Sequence, residues 1–85
     1  MGGEMTVCPW EPINGFSTNS EFERFCAWIN GLVISKGARK VPVLKRYLGI
    51  ESFLEEWYQH TESQTTWRLV HPDGPFRGFF EQCID

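Results

Sequence analysis

The chain has 85 residues, of which 41% are hydrophobic and 22% charged; this describes one small globular domain and excludes both a second core and a disordered tail. Its formal charge of −3 argues against a dedicated nucleic-acid or anionic-membrane binder. No run approaches the roughly 18 consecutive apolar residues of a membrane span.

Residues 1–19 contain Gly2, Gly3, Pro9, Pro12 and Gly15 and show no sustained periodicity, so they read as an irregular arm. Cys8, Trp10, Ile13 and Phe16 are apolar anchors that would pin this arm to the domain formed by 20–85. The segment before Trp10 lacks a basic region followed by a continuous apolar run, so no secretory signal is expected. Cys8, Cys26 and Cys83 form an odd set without C-x-x-C spacing, which predicts reduced thiols and a cytoplasmic protein.

A helix is predicted over 20–36. Ser20-Glu21-Phe22-Glu23 has the form of a capping box, and its glutamates suit the positive end of the helix dipole. Phe22, Phe25, Cys26, Ile29, Leu32 and Val33 recur as one apolar stripe. Gly37 is the expected left-handed stop, with Lys36 at the negative end.

Residues 36–46 hold five of the eight basic residues and no acid, leaving three basic against 11 acidic residues elsewhere. Pro42 makes this segment an edge or a loop if it is extended. Residues 53–60 fit two patterns. Phe53, Leu54, Trp57 and Tyr58 suit a helical face, with Ser52 and Glu55 as a second capping pair, whereas Trp57, Tyr58 and the threonines that follow suit a strand. Thr65 to His71 is β-branched and aromatic, with Trp67, Leu69 and His71 on one face and Arg68 and Val70 on the other. Pro72-Asp73-Gly74-Pro75 is a turn, and Phe76 to Cys83 is a returning strand. The expected fold is therefore α+β: an arm, one amphipathic helix, and an antiparallel sheet of about three strands that includes 53–60.

Catalytic and metal chemistry find little support in these residues. Cys8, Cys26, Cys83, His60 and His71 lack paired ligand spacings, and Cys26 already belongs to the apolar stripe. Cys83 with His60 or His71 and Asp73 is a triple of the kind any chain offers. Neither an enzyme nor a cofactor is expected. The aromatic residues carry more weight: 13 rings make up 15% of the chain. Six of them, Trp57, Tyr58, Trp67, Phe76, Phe79 and Phe80, lie in the C-terminal half. One helix covers one sheet face, so about half of these six are expected to meet another chain.

The string Trp67-Arg-Leu-Val-His-Pro-Asp-Gly-Pro-Phe-Arg-Gly-Phe-Phe80, preceded by Trp57-Tyr58, resembles the ending of small uncharacterised bacterial proteins from mobile elements and polymorphic-toxin loci. A weaker similarity reaches back to the helix start at Ser20. The resemblance implies a non-catalytic accessory or immunity-type protein that binds another protein, and it brings no catalytic residue. The expected partner surface is Glu55, Glu56, Trp57, Tyr58 and Glu62, combining rings with acids that steer a basic target. Reversing the charge of Glu55 and Glu56 is expected to weaken association with little loss of melting temperature. Two alternatives use other residues: a phosphate or nucleic-acid site at Lys36, Arg39, Lys40, Lys45 and Arg46, or a small ligand in a ring-lined cavity between helix and sheet. Self-association is compatible with all three, because a one-helix domain leaves sheet surface to cover.

Overall fold

A computed structural model describes residues 8–46 and 54–83. Residues 1–7, the Tyr47 beside the basic run, and the Ser52 and Phe53 of the second capping pattern lie outside the described residues.

Helix α1 spans Asn19–Ser35 and is capped by Thr18 rather than Ser20. The Thr18 hydroxyl accepts from the Glu21 amide at 3.0 Å, and the Glu21 carboxylate reaches back to the Ser17 amide at 2.5 Å. Thr18-x-x-Glu21 therefore supplies the box, two residues earlier than Ser20-x-x-Glu23. Phe16 lies ahead of the cap and packs on Phe22 at 5.1 Å between ring centroids, which fixes how the chain enters the helix. At the other end Lys36, not Gly37, takes the left-handed conformation, with φ of 70°. The Lys36 amide donates to the Val33 carbonyl and the Gly37 amide to the Leu32 carbonyl, the paired bonds of a Schellman stop. Gly37 packs closely on the last turn: a Cβ there would lie 3.3 Å from Leu32 Cδ2, so the leucine tip would have to shift slightly.

Four strands follow: β1 (Ala38–Val41), β2 (Glu55–His60), β3 (Thr66–Val70) and β4 (Phe79–Gln82). They form one antiparallel meander in the order β1-β2-β3-β4. The fold is α+β as expected, with four strands rather than about three, because the basic segment contributes β1. This strand lies at the sheet edge and stops immediately before Pro42, which has no amide to donate. Residues 55–60 are strand: Tyr58 faces Trp67, and Glu56 faces Leu69.

The return after β3 differs from the simple turn and strand expected at 72–83. Asp73 and Phe76 exchange both backbone hydrogen bonds around Gly74 and Pro75, and Gly74 has φ of 62°. The chain then crosses its own backbone at Gly78, where a Cβ would lie 2.4 Å from the Val70 carbonyl oxygen. Only after this crossing does β4 begin, so Phe76 lies outside it.

The apolar stripe of α1 covers one face of the sheet. Trp10, Phe16, Ile29, Ala38, Tyr58, Trp67, Leu69 and Phe80 form the buried core, flanked by Phe22, Phe25, Leu32 and Val33. The arm is part of this structure. Ile13 pairs with Phe80 through two backbone hydrogen bonds, covering the outer edge of β4, and the Phe16 amide donates to the Arg77 carbonyl. Edge coverage of this kind removes a row of groups that would otherwise pair with another chain.

Candidate functional site

Strand alternation distributes the expected partner residues over both faces of the sheet. Glu56, Tyr58 and His60 face the helix, and Glu55, Trp57 and Gln59 face away from it. Tyr58 is 3% exposed and Trp57 is 7% exposed, so both rings lie inside this chain. Glu62 stands exposed in the turn between β2 and β3.

Glu55 and Trp57 belong to a polar cluster on the face opposite the helix. The Glu55 side chain is 2% exposed, and one of its oxygens lies 2.7 Å from Arg68 Nε. Trp57 Nε1 donates to the same oxygen at 2.7 Å, and the Arg68 guanidinium carbon lies 5.6 Å from the Trp57 ring centroid. Arg68 also lies 3.6 Å from Glu81 and donates to the Lys45 carbonyl at 3.2 Å, tying the segment after β1 to this face. Charge reversal at Glu55 would set a cation beside a largely buried guanidinium. At Glu55 the expected outcome is therefore a substantial loss of melting temperature rather than the little loss expected from the sequence.

Glu56 anchors a second cluster on the helix face. Its carboxylate receives Lys40 Nζ at 2.7 Å, pairs with His71 Nε2 at 3.0 Å, and accepts from the Tyr58 hydroxyl at 3.2 Å. Burial acts to raise the Glu56 pKa, but the hydrogen bonds and charges of Lys40 and His71 outweigh it and hold the carboxyl below its usual range. Burial, reinforced by the Glu56 carboxylate, pushes the Tyr58 phenol well up. Burial also raises the nearby Cys26 thiol, with Glu56 and Glu23 adding to the effect, which keeps this sulfur protonated and a poor nucleophile. The sequence reading missed this cluster because its members come from β1, β2 and the residue that follows β3. Register brings them together: Lys40 faces Tyr58, and His71 follows Leu69 by one alternation on the same face.

Other candidate groups are dispersed. Cys83 lines a hollow with Trp57 and Gln59, whereas His60 belongs to the helix face and His71 lies beyond the opposite end of β3. The triple of Cys83, a histidine and Asp73 is therefore not assembled. Among the described residues no three His, Cys, Asp or Glu side chains gather as a metal-holding group. The basic segment is divided too. Arg39 and Lys40 alternate across β1, Arg39 Nε donates to the Gln59 side chain at 2.7 Å, and Lys40 pairs with Glu56. Lys36 closes the helix, while Lys45 and Arg46 lie in the exposed segment after β1.

A concavity with an apolar floor lies elsewhere, between the arm, α1 and the β2–β3 turn. It is an open groove of about 720 Å³ whose lining includes Trp10, Ile13, Phe25, Trp28, Leu32 and Phe80. Glu11, His60 and Glu62 also line it. Trp10 is the hub, with ring centroids of Trp28, His60, Trp67 and Phe80 within 5.9 Å of its own. Trp28 stands at the mouth and is 44% exposed.

The β2–β3 turn that forms one wall is held by a side-chain chain of hydrogen bonds. His60 Nδ1 accepts from the Ser63 amide at 3.2 Å and lies 2.7 Å from the Ser63 hydroxyl. That hydroxyl lies 2.8 Å from the Thr65 hydroxyl, which accepts from Trp67 Nε1 at 3.0 Å. The groove thus has a braced wall. Sequence reasoning passed over Trp28 because it lies beside the main stripe, although Phe25, Trp28 and Leu32 are themselves spaced i, i+3 and i+7.

No helix among the described residues is long and apolar enough to cross a membrane. No family model, curated protein or solved structure matches the chain.

Proposed function

We propose that the protein is a non-catalytic protein-binding module that docks its partner in the groove between the arm, α1 and the β2–β3 turn. The observation that carries this reading is Trp28: a half-exposed indole at the mouth of an apolar, ring-floored groove in a domain that buries its other three tryptophans. A partly exposed tryptophan beside a desolvated floor is the usual form of an interface anchor. The acidic element expected from the sequence is retained at Glu62 and joined by Glu11, while Glu55, Glu56, Trp57 and Tyr58 support the scaffold behind it.

An immunity-type or accessory role, as the motif resemblance implies, needs only such a rigid surface. The three free thiols suit the reducing cytoplasm, where we place the protein. The phosphate-binding alternative is less well supported, because Lys40 and Arg39 have partners within the chain and point to opposite faces.

Site-specific photo-crosslinking tests the proposal. A photoreactive phenylalanine analogue at Trp28 should capture one discrete partner in the native host. The same analogue at Ile34, which is 82% exposed on the same helix but outside the groove lining, should not capture it. Equal capture from both positions, or none from position 28, would refute the groove as the docking surface. A shared oligomeric adduct in pure protein would identify the partner as a second copy.

A further inference from the structure

Resting on the docking groove proposed above, we infer that its specificity is for a cationic side chain, arginine or lysine, presented by an apolar segment of the partner protein. Three features of the groove converge on that chemistry. Trp10 and Trp28 meet at 71° with centroids 5.7 Å apart, so their rings form a corner rather than a stack. Indole faces carry the negative lobe of the ring quadrupole and attract a cation that approaches them. The acids Glu11 and Glu62 line the same groove, and among the described residues neither lysine nor arginine does.

The histidine in the lining is engaged by the wall of the groove. Its Nδ1 accepts the Ser63 amide hydrogen and lies 2.7 Å from the Ser63 hydroxyl, so that nitrogen is committed to the β2–β3 turn. The apolar part of the floor suits the methylene stem of the same residue and its apolar neighbours, because long basic side chains bury their stems while the charged head seeks a polar partner. A carboxylate-bearing segment would meet two glutamates and the exposed Trp28 ring, with no compensating lysine or arginine among the described lining residues. Electrostatic complementarity of this kind selects among partners more than it sets total affinity.

Peptide titration followed by NMR of the indole N–H resonances tests the inference on the intact chain. The probes are acetyl-Leu-Arg-Leu-amide and the same peptide with citrulline, which keeps the shape of arginine and removes its charge. The arginine peptide should shift the Trp10 and Trp28 indoles saturably at millimolar concentrations, and the citrulline peptide should bind about threefold to tenfold more weakly. The double variant Glu11→Gln/Glu62→Gln should shrink that ratio while leaving the melting temperature unchanged, since both side chains are exposed. Trp28→Leu should remove the response of the Trp10 indole. Equal affinity for the two peptides would overturn the cation preference while leaving the docking groove standing. Absence of saturable shifts at either indole would overturn the inference, and the crosslink from position 28 would then decide separately whether the groove binds protein at all.

Discussion

The two faces of the sheet reach burial by opposite means. Toward the helix, Trp10, Phe16, Tyr58, Trp67 and Phe80 interlock as rings, with Trp67 and Phe80 stacked at 4.9 Å and tilted by only 19°. On the other face, which no helix among the described residues covers, Trp57 is buried beside a Glu55–Arg68 pair. The same two strands, β2 and β3, contribute to both, giving Tyr58 and Trp67 to the first face and Glu55, Trp57 and Arg68 to the second at alternate positions. A hydrocarbon face needs area, whereas a mixed face can be closed by a charge pair whose arms lie along a ring. The first face also leaves a groove beside its rings, and the second uses its acid internally. That contrast separates the glutamate nearest Trp57, which is engaged within the chain, from the more distant Glu62, which lines the groove proposed as the docking surface.

The comparison is broken most severely at Phe80. This ring is 1% exposed and touches Trp10, Phe25 and Trp67, so Phe80→Ala should cost about 3–5 kcal/mol by chemical denaturation. That is a large share of the ~5–15 kcal/mol typical of a domain. Retention of the native denaturation midpoint would show that the helix face is not one packed unit.

On the opposite face, Glu55→Ala should cost about 3 kcal/mol, because it strips a nearly buried carboxylate from Arg68 and from the Trp57 N–H. The double variant Glu55→Leu/Arg68→Met should recover most of that loss, since apolar replacement of both partners removes the stranded charge. A double variant no more stable than Glu55→Ala would mean that the ion pair itself carries the far face.

Acid sharpens the same contrast through Glu56, which sits on the ring-packed face but is held by charge. Its folded pKa lies below its unfolded one, so its contribution is present above the unfolded value and is lost as pH falls through the folded one. The melting temperature of the wild-type protein should therefore fall more steeply with acid than that of Glu56→Gln, beginning near about pH 4 where an unfolded glutamate titrates. Parallel curves would remove Glu56 from the account of acid stability. The smallest effect lies outside both faces: Lys36→Gly should stabilise the domain by up to about 1 kcal/mol by relieving a left-handed lysine.

The helix was legible because its stripe and its ends are set by residues three or four positions apart. Its cap was misplaced by two residues because both Thr18-x-x-Glu21 and Ser20-x-x-Glu23 satisfy the pattern. What separates them is tertiary: Phe16 is itself buried in the core, and its contact with Phe22 favours entry at Thr18. The faces of β3 were read correctly from alternation, and Tyr58 joins Trp67 and Leu69 in the core as that alternation requires. The final strand was drawn too long because nothing local announces that Gly78 must pass against the Val70 carbonyl. Of the residues expected at a partner surface, Trp57 and Tyr58 are buried within the chain, and Glu62 lines the groove that we propose as the docking surface, together with Trp28, Trp10 and Glu11.

Local patterning decided the helix, the turn around Gly74 and the two-sidedness of the strands, since each depends on neighbours within about one turn or one alternation. Tertiary structure decided which rings are internal and which charges find partners. Glu56 meets His71 across 15 residues, and the Ile13 backbone meets that of Phe80 from the other end of the chain. Those distances are closed by strand register and by the return of the arm, and side-chain periodicity is blind to both.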